Sequence, residues 1–165
     1  MAITAAEFRR TLGTFPTGVT VCTTTDAAGA PVGVTVSSFT SVSLDPPLIL
    51  FCLGREAEVT PTFLGGRAFA VNILSAEQQA LSERFAFEPA DARWQGVGFT
   101  LDDAGCPILD GCLASLVCRL EATHDGGDHH ILVGRVLRLS WRDGQPLVYV
   151  RGSYATVTTA AAPSA

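Results

Sequence analysis

Two long β-rich segments joined by a pair of glycines constrain this chain more than any other feature. In GCLASLVCRLEATHD (111–125), Cys112, Ala114, Leu116, Cys118 and Leu120 alternate with Leu113, Ser115, Val117, Arg119 and Glu121. Such alternation sends successive side chains to opposite faces of a sheet. GG at 126–127 reads as a hairpin turn, and HHILVGRVLRLSW (129–141) as the returning strand. RDGQP then turns the chain into LVYV (147–150). Upstream, GVTVCTTT (18–25), the segment 31–38, PLILFCL (47–53) and RAFAVNIL (67–74) add four more strands. PLILFCL is continuously apolar, which predicts burial on both faces. Seven strands with hairpins at the C-terminal side imply a mainly β fold, an antiparallel barrel closed or nearly so.

Two or three short helices accompany the strands. Thr4 and Glu7 have capping-box spacing, and Ala5, Phe8, Leu12 and Phe15 share one helical face. Ser75 and Gln78 repeat that spacing ahead of a helix to 87 that buries Leu81 and Phe85 and stops before Pro89. A third short helix is expected within 54–66, and a loop over 88–97 carries Arg93 and Trp94.

The 165 residues suit one domain, placed at 1–157, with a flexible tail over 158–165. With 47% apolar and only 16% charged residues, the chain has apolar surface to hide, which favours a homo-oligomer. A net charge of −5 without a basic cluster argues against nucleic acid as a partner. The apolar runs are too short to span a bilayer, and MAITAAEFRR has no apolar signal core. Five cysteines, an odd number without a C-x-x-C pair, read as reduced thiols of a cytoplasmic protein. Cys106, Cys112 and Cys118 recur every six residues, a spacing of core residues rather than of metal ligands.

No G-x-S-x-G elbow, H-x-x-x-H pair, G-x-G-x-x-G or Walker loop is present. An enzyme of this composition would take its reactivity from a bound cofactor. Three segments are candidates for holding one. GVTVSSFTSVSLDPPLILF (33–51) places six hydroxyls in the nine residues from Thr35 to Ser43, just before Pro46-Pro47. They read either as a polar cradle at a sheet edge or as the solvent face of a strand. GGDHHILVG (126–134) puts Asp128 and His129 at a turn, with His130 on the opposite face. They are either site residues or a turn cap beside a solvated imidazole. LVYVRGSY (147–154) ends an apolar strand with Arg151 and Tyr154, suited to a phosphate or a stacked ring, or simply to a strand end.

Taken in order, FPTGVTVCTT (15–24), GVTVSSFTSVSLDPPLILFCL (33–53), FAVNIL (69–74), LSERFA (81–86), GCPILDGCLASLVC (105–118), GDHHILVGRV (127–136) and PLVYVRGSY (146–154) resemble the flavin reductase-like, FMN-binding split-barrel family. The likeness is greatest to the NAD(P)H:flavin oxidoreductase components of two-component flavin-dependent monooxygenases. It implies a Greek-key split β-barrel, a homodimer, FMN or FAD as flavin, and NADH or NADPH as hydride donor. It further implies that reduced flavin passes to a separate monooxygenase.

The resemblance also implies site residues. Thr35, Val36, Ser37, Ser38 and Phe39, then Ser41 and Ser43, would hold the flavin largely through main-chain groups. Cys52, Leu53, Gly54 and Arg55 would continue toward its phosphate, and Phe85 would sit near it. His129 would orient the nicotinamide, with Arg151 and Tyr154 lining the same side. One departure stands out. Glu56-Ala57-Glu58-Val59 occupies the loop where family members commonly carry phosphate-binding hydroxyls, leaving Thr60, Arg55 or Arg93 to substitute. Alternatives are a non-catalytic flavin- or haem-binding split barrel, or a pyridoxine-phosphate-oxidase-like enzyme.

Overall fold

The structure is a computed structural model and describes residues 2–158. In chain order it comprises α1 (Ala5–Leu12), β1 (Thr17–Gly18), β2 (Thr20–Thr25), β3 (Pro31–Val36), β4 (Thr40–Leu44) and β5 (Pro47–Gly54). There follow α2 (Thr60–Gly65), β6 (Ala68–Ile73), a single 3-10 turn and α3 (Gln79–Phe87). The C-terminal half holds β7 (Phe99–Leu101), β8 (Pro107–Leu109), β9 (Ala114–Gly126), β10 (His129–Trp141), β11 (Val148–Val150) and β12 (Ser153–Ala155).

Seven strands form one antiparallel sheet in the order β3-β2-β6-β9-β10-β5-β4. Its two edge strands, β3 and β4, are consecutive in the chain, with only Ser37, Ser38 and Phe39 between them. Four Cα steps span at most roughly 14 Å, so the first and last strands of the sheet must lie side by side. The sheet therefore curls into a barrel whose closure is interrupted at that point. Pairing of β2 with β6 and of β5 with β10, neither consecutive, makes the connectivity Greek-key.

The interior is packed from alternate residues of the strands. Ile49, Phe51 and Leu53 of β5 point inward, and Phe51 meets Phe63 and Phe69 edge-on at centroid separations of 5.9 and 5.1 Å. At Gly134, a β-bulge on β10, any Cβ would run into the Phe69 ring and lie 3.0 Å from Cys118 Cβ. Asn72 is the polar centre of the barrel. Its Nδ2 donates to Val21 O and Thr23 Oγ1, both at 3.1 Å. Its Oδ1 accepts from the Leu109 N–H at 3.1 Å and Ser115 Oγ at 3.0 Å. A second cluster, under α3, buries Val19, Val21, Leu74 and Phe85, with Trp94 against Phe85 and Phe99 at 4.9 and 5.0 Å.

α1 is fixed by its capping box, Glu7 N–H to Thr4 Oγ1 at 3.2 Å and Thr4 N–H to Glu7 Oε2 at 3.0 Å. It buries none of its residues, leaving Phe8 and Leu12 exposed on the outside of the barrel. All five cysteines are unpaired. Burial pushes the Cys106 and Cys118 thiols up to about 12, as expected of core residues. Among the described residues no helix is long and apolar enough to cross a membrane.

Three expectations change in detail, and a fourth lies outside the described residues. The seventh barrel strand is β4, not LVYV, which forms β11 of a separate three-stranded sheet with β1 and β12. β4 escapes periodicity because it offers the core nothing: Leu44 is 96% exposed. PLILFCL is buried on one face only, with Leu48, Leu50 and Cys52 half-buried. The hairpin turn is Gly127-Asp128 rather than Gly126-Gly127, since β9 runs on to pair Gly126 with His129 and Gly127 takes φ +79. Apart from Thr158, the expected tail over 158–165 lies outside the described residues.

Candidate active site at the barrel split

The register of β3 ends at Val36 and that of β4 begins at Thr40. The main-chain amides of Ser37, Ser38 and Phe39 therefore fall outside both ladders, where a ligand edge can meet them. The segment is not loose. Ser38 Oγ accepts the Cys52 N–H at 2.9 Å and lies 3.3 Å from Cys52 O, continuing the β4–β5 ladder with a side chain. Thr35 Oγ1 donates to Ser82 O at 2.7 Å, tying the end of β3 to α3.

Beside the split lies a cavity of about 1070 Å³ lined by Ser37, Ser38, Phe39, Asp128, His129 and Arg151, together with Tyr149 and the open face of α1. Ligand clefts commonly run from about 300 to 1,000 Å³. His129 Nδ1 is 2.7 Å from Asp128 Oδ1. That hydrogen bond holds the Asp128 carboxyl below its ordinary range, with the imidazole's field adding to it. The other ring nitrogen is turned over Gly54, where a Cβ would stand 3.9 Å from Nε2. His130 lies on the opposite face of β10 and lines none of these cavities, as strand alternation requires.

The turn bearing Asp128 is clamped from β5. Arg55 Nε donates to Gly127 O and Nη2 to Asp125 Oδ1, each at 2.6 Å, and the Arg55 N–H donates to Asp128 O at 3.0 Å. The Gly127 N–H and this guanidinium hold the Asp125 carboxyl below its usual range. Arg55 is thereby engaged. So is Thr60, buried with Oγ1 donating to Gly54 O at 2.7 Å, and so is Arg93, which donates to Gly33 O at 2.9 Å and Glu88 O at 2.8 Å. Glu56 and Glu58 are exposed. The substitutes for the missing phosphate-loop hydroxyls are thus already committed within the chain.

A second cavity, of about 610 Å³, adjoins the first through Ser37, Tyr149 and Gly152. Thr35, Glu83, Phe87 and Tyr154 line it. Tyr154 shares a 2.9 Å hydrogen bond with Ser82 Oγ and meets Tyr149 edge-on at 5.2 Å. Arg151 and Tyr154 consequently line adjoining cavities rather than one. Phe85, expected near the flavin, has its side chain 0% exposed and lines neither cavity; a Cβ at Gly33 would come within 2.6 Å of its ring. Phe87, two positions on and about 200° around the helix, is 82% exposed and lines the cavity.

Of the remaining candidates, Val36 and Leu53 point their side chains into the core and offer main-chain groups only. Ser41 and Ser43 lie on β4, astride a bulge at Val42 and beyond both cavities. Tyr149 and the α1 face (Phe8, Arg9, Leu12) line the larger cavity without having been singled out in the sequence. Tyr149 is exposed between two half-buried valines of β11, and a strand of three residues is too short to reveal which face it presents.

In this Greek-key barrel the unladdered amides of Ser37, Ser38 and Phe39 and the side chain of His129, first residue of β10, come to the wall of one cavity. The chain belongs to the flavin reductase-like family: the model described as "Flavin reductase like domain" matches residues 12–158. It is 46% identical over 153 residues to FMN reductase (NADH) SmoA of Agrobacterium fabrum, covering 90% of this chain and 83% of the relative. It is 44% identical over 154 residues to the flavin-dependent monooxygenase reductase subunit HsaB of Rhodococcus jostii, covering 93% and 78%. The Streptomyces globisporus NADH:FAD oxidoreductase SgcE6, solved with NAD and FAD fragments, superposes with a TM-score of 0.89 at 33% identity, covering 95% of this chain and 94% of that one.

Proposed function

We propose that this chain is an NAD(P)H-dependent flavin reductase that supplies reduced FMN or FAD to a separate monooxygenase. The observation that carries the reading is the placement of Ser37, Phe39 and His129 around one cavity at the barrel split. The names of the relatives, an NADH-dependent FMN reductase and a monooxygenase reductase subunit, support it.

A flavin held here would supply the redox chemistry, as acceptor of the hydride that the nicotinamide gives up. The residues of this chain bind and orient. The Ser37–Phe39 amides meet the polar ring edge where negative charge develops. His129, set by Asp128, uses its second nitrogen to hold the carboxamide or a nearby phosphate of the hydride donor. Stacking and close approach lower the barrier, and no side chain is asked to transfer a proton. Cys52, Leu53 and Gly54 line neither cavity, and with the Cys52 N–H held by Ser38 Oγ and Gly54 O by Thr60 Oγ1 they back the flavin edge from β5.

The working unit is a homodimer of single domains. The exposed faces of α1 and β4 and the half-buried outer face of β5 are the surface for a second copy to cover. Five free thiols suit a cytoplasmic location.

The test is loss of NADH absorbance with purified protein and FMN, FAD or riboflavin added in turn. Flavin-dependent oxidation well above the protein-free control is the expected result. Flavin binding without oxidation would reduce the protein to a carrier.

A further inference from the structure

The chain has eleven arginines and no lysine. Seven of them direct their guanidinium at carbonyls or carboxylates of the chain. Of the other four, Arg9, Arg10 and Arg151 line one cavity of about 670 Å³, whose remaining walls are Gly13, Thr14 and Gly152. That lining holds no carboxylate, and among the described residues these three form no ion pair.

The dipole of α1 accounts for Arg9 and Arg10 in its last turn. It does not account for Arg151, which comes from the β11–β12 turn. Arg151 is held there by its backbone. It has φ +52, the one non-glycine residue with positive φ among the described residues, and its N–H donates to Gly13 O at 2.7 Å. Gly13 is where the two elements meet, its carbonyl accepting that N–H and its Cα side lying in van der Waals contact with Arg151 Cα. Three like charges on one cavity wall, with the exposed carboxylate of Asp128 in the adjoining cavity acting on Arg9 alone, repel unless a further anion joins them. Planar guanidinium forks match phosphate oxygens in pairs. Arg9, Gly13, Arg151 and Gly152 also line the 1070 Å³ cavity that holds Ser37 and His129, so an anion here is continuous with that site.

We propose that Arg9, Arg10 and Arg151 form the phosphate site of this protein, in place of the acidic loop after β5. It takes the phosphate or diphosphate of a nucleotide whose ring lies between the split edge and His129. The assignment rests on reading that cavity as a nucleotide site. The shared chemistry is a phosphoryl oxyanion, from a flavin nucleotide or a nicotinamide dinucleotide.

The experiment is calorimetric titration of inorganic pyrophosphate into the wild type and into the Arg9→Gln/Arg10→Gln double variant, with circular dichroism to confirm folding. The double variant should bind pyrophosphate at least tenfold more weakly, while its affinity for riboflavin, which lacks a phosphate, stays within twofold. Weaker FMN binding relative to riboflavin would assign the site to the flavin. Weaker NADH binding relative to reduced nicotinamide riboside would assign it to the hydride donor. Unchanged affinities for pyrophosphate, FMN and NADH in the folded double variant would overturn the proposal. Pyrophosphate binding lost with these arginines, in a wild type that oxidises no NADH, would instead sink the reductase reading and leave the phosphate site standing.

Discussion

Inside the barrel, Thr20 donates to Val36 O at 2.9 Å, Thr23 to Pro107 O at 2.6 Å, and Ser115 to Asn72 Oδ1 at 3.0 Å. At the split, Ser37 is exposed, lines both ligand-sized cavities, and belongs to neither ladder. The same chemical group serves opposite ends in the two regions. A buried hydroxyl without a partner is costly, so the interior satisfies every one: among the described residues no buried side-chain polar atom lacks a hydrogen bond. An exposed hydroxyl on an edge carries no such penalty and stays available to a ligand. Stability and ligand binding should therefore respond to different substitutions.

The largest effect should come from the interior. Phe69→Ala removes the ring that meets Phe51 and fills the space left by Gly134. It should lower unfolding free energy by about 3–5 kcal/mol in denaturant titration. Asn72→Ala strands the Leu109 N–H, Val21 O and Ser115, a loss of about 2–3 kcal/mol by the same measurement.

At the split the effects should be kinetic. His129→Ala should raise the Michaelis constant for NADH about tenfold, equivalent to roughly 1.4 kcal/mol, with flavin affinity and melting temperature unchanged. Equal loss of NADH and flavin affinity would remove His129 from the nicotinamide side.

The smallest effect concerns the clamp. The native carboxyl of Asp125 titrates below its ordinary 3.8, held down by the Gly127 N–H and by Arg55. Its contribution to stability is therefore complete above about pH 4 and is lost as pH falls through the depressed native value. The melting-temperature difference between wild type and Asp125→Asn should shrink as the buffer is acidified through that range. A constant difference would show that the clamp does not act through charge.

How much of this was legible in the sequence follows the same division. Alternation and turn residues marked the β9–β10 hairpin, and capping spacing marked α1 and the start of α3, because those signals are local. β4 was not legible, since an edge strand with Leu44 in solvent carries no core pattern. Nor was the engagement of Arg55, whose partner Asp125 is 70 residues away in the chain. The helix period placed Phe85 inward, but only packing against Gly33 and Trp94 shows that it cannot also face a ligand. The closure of the barrel, and with it the meaning of the hydroxyl run, depends on a strand order that no local pattern contains.

Amide hydrogen exchange with and without FMN tests the central claim most directly. If the split edge is the flavin cradle, FMN should slow exchange at Ser37, Ser38 and Phe39 while leaving the β6–β9 ladder unchanged. FMN bound at saturation with exchange over 37–39 unaltered would contradict the account and return those hydroxyls to solvent.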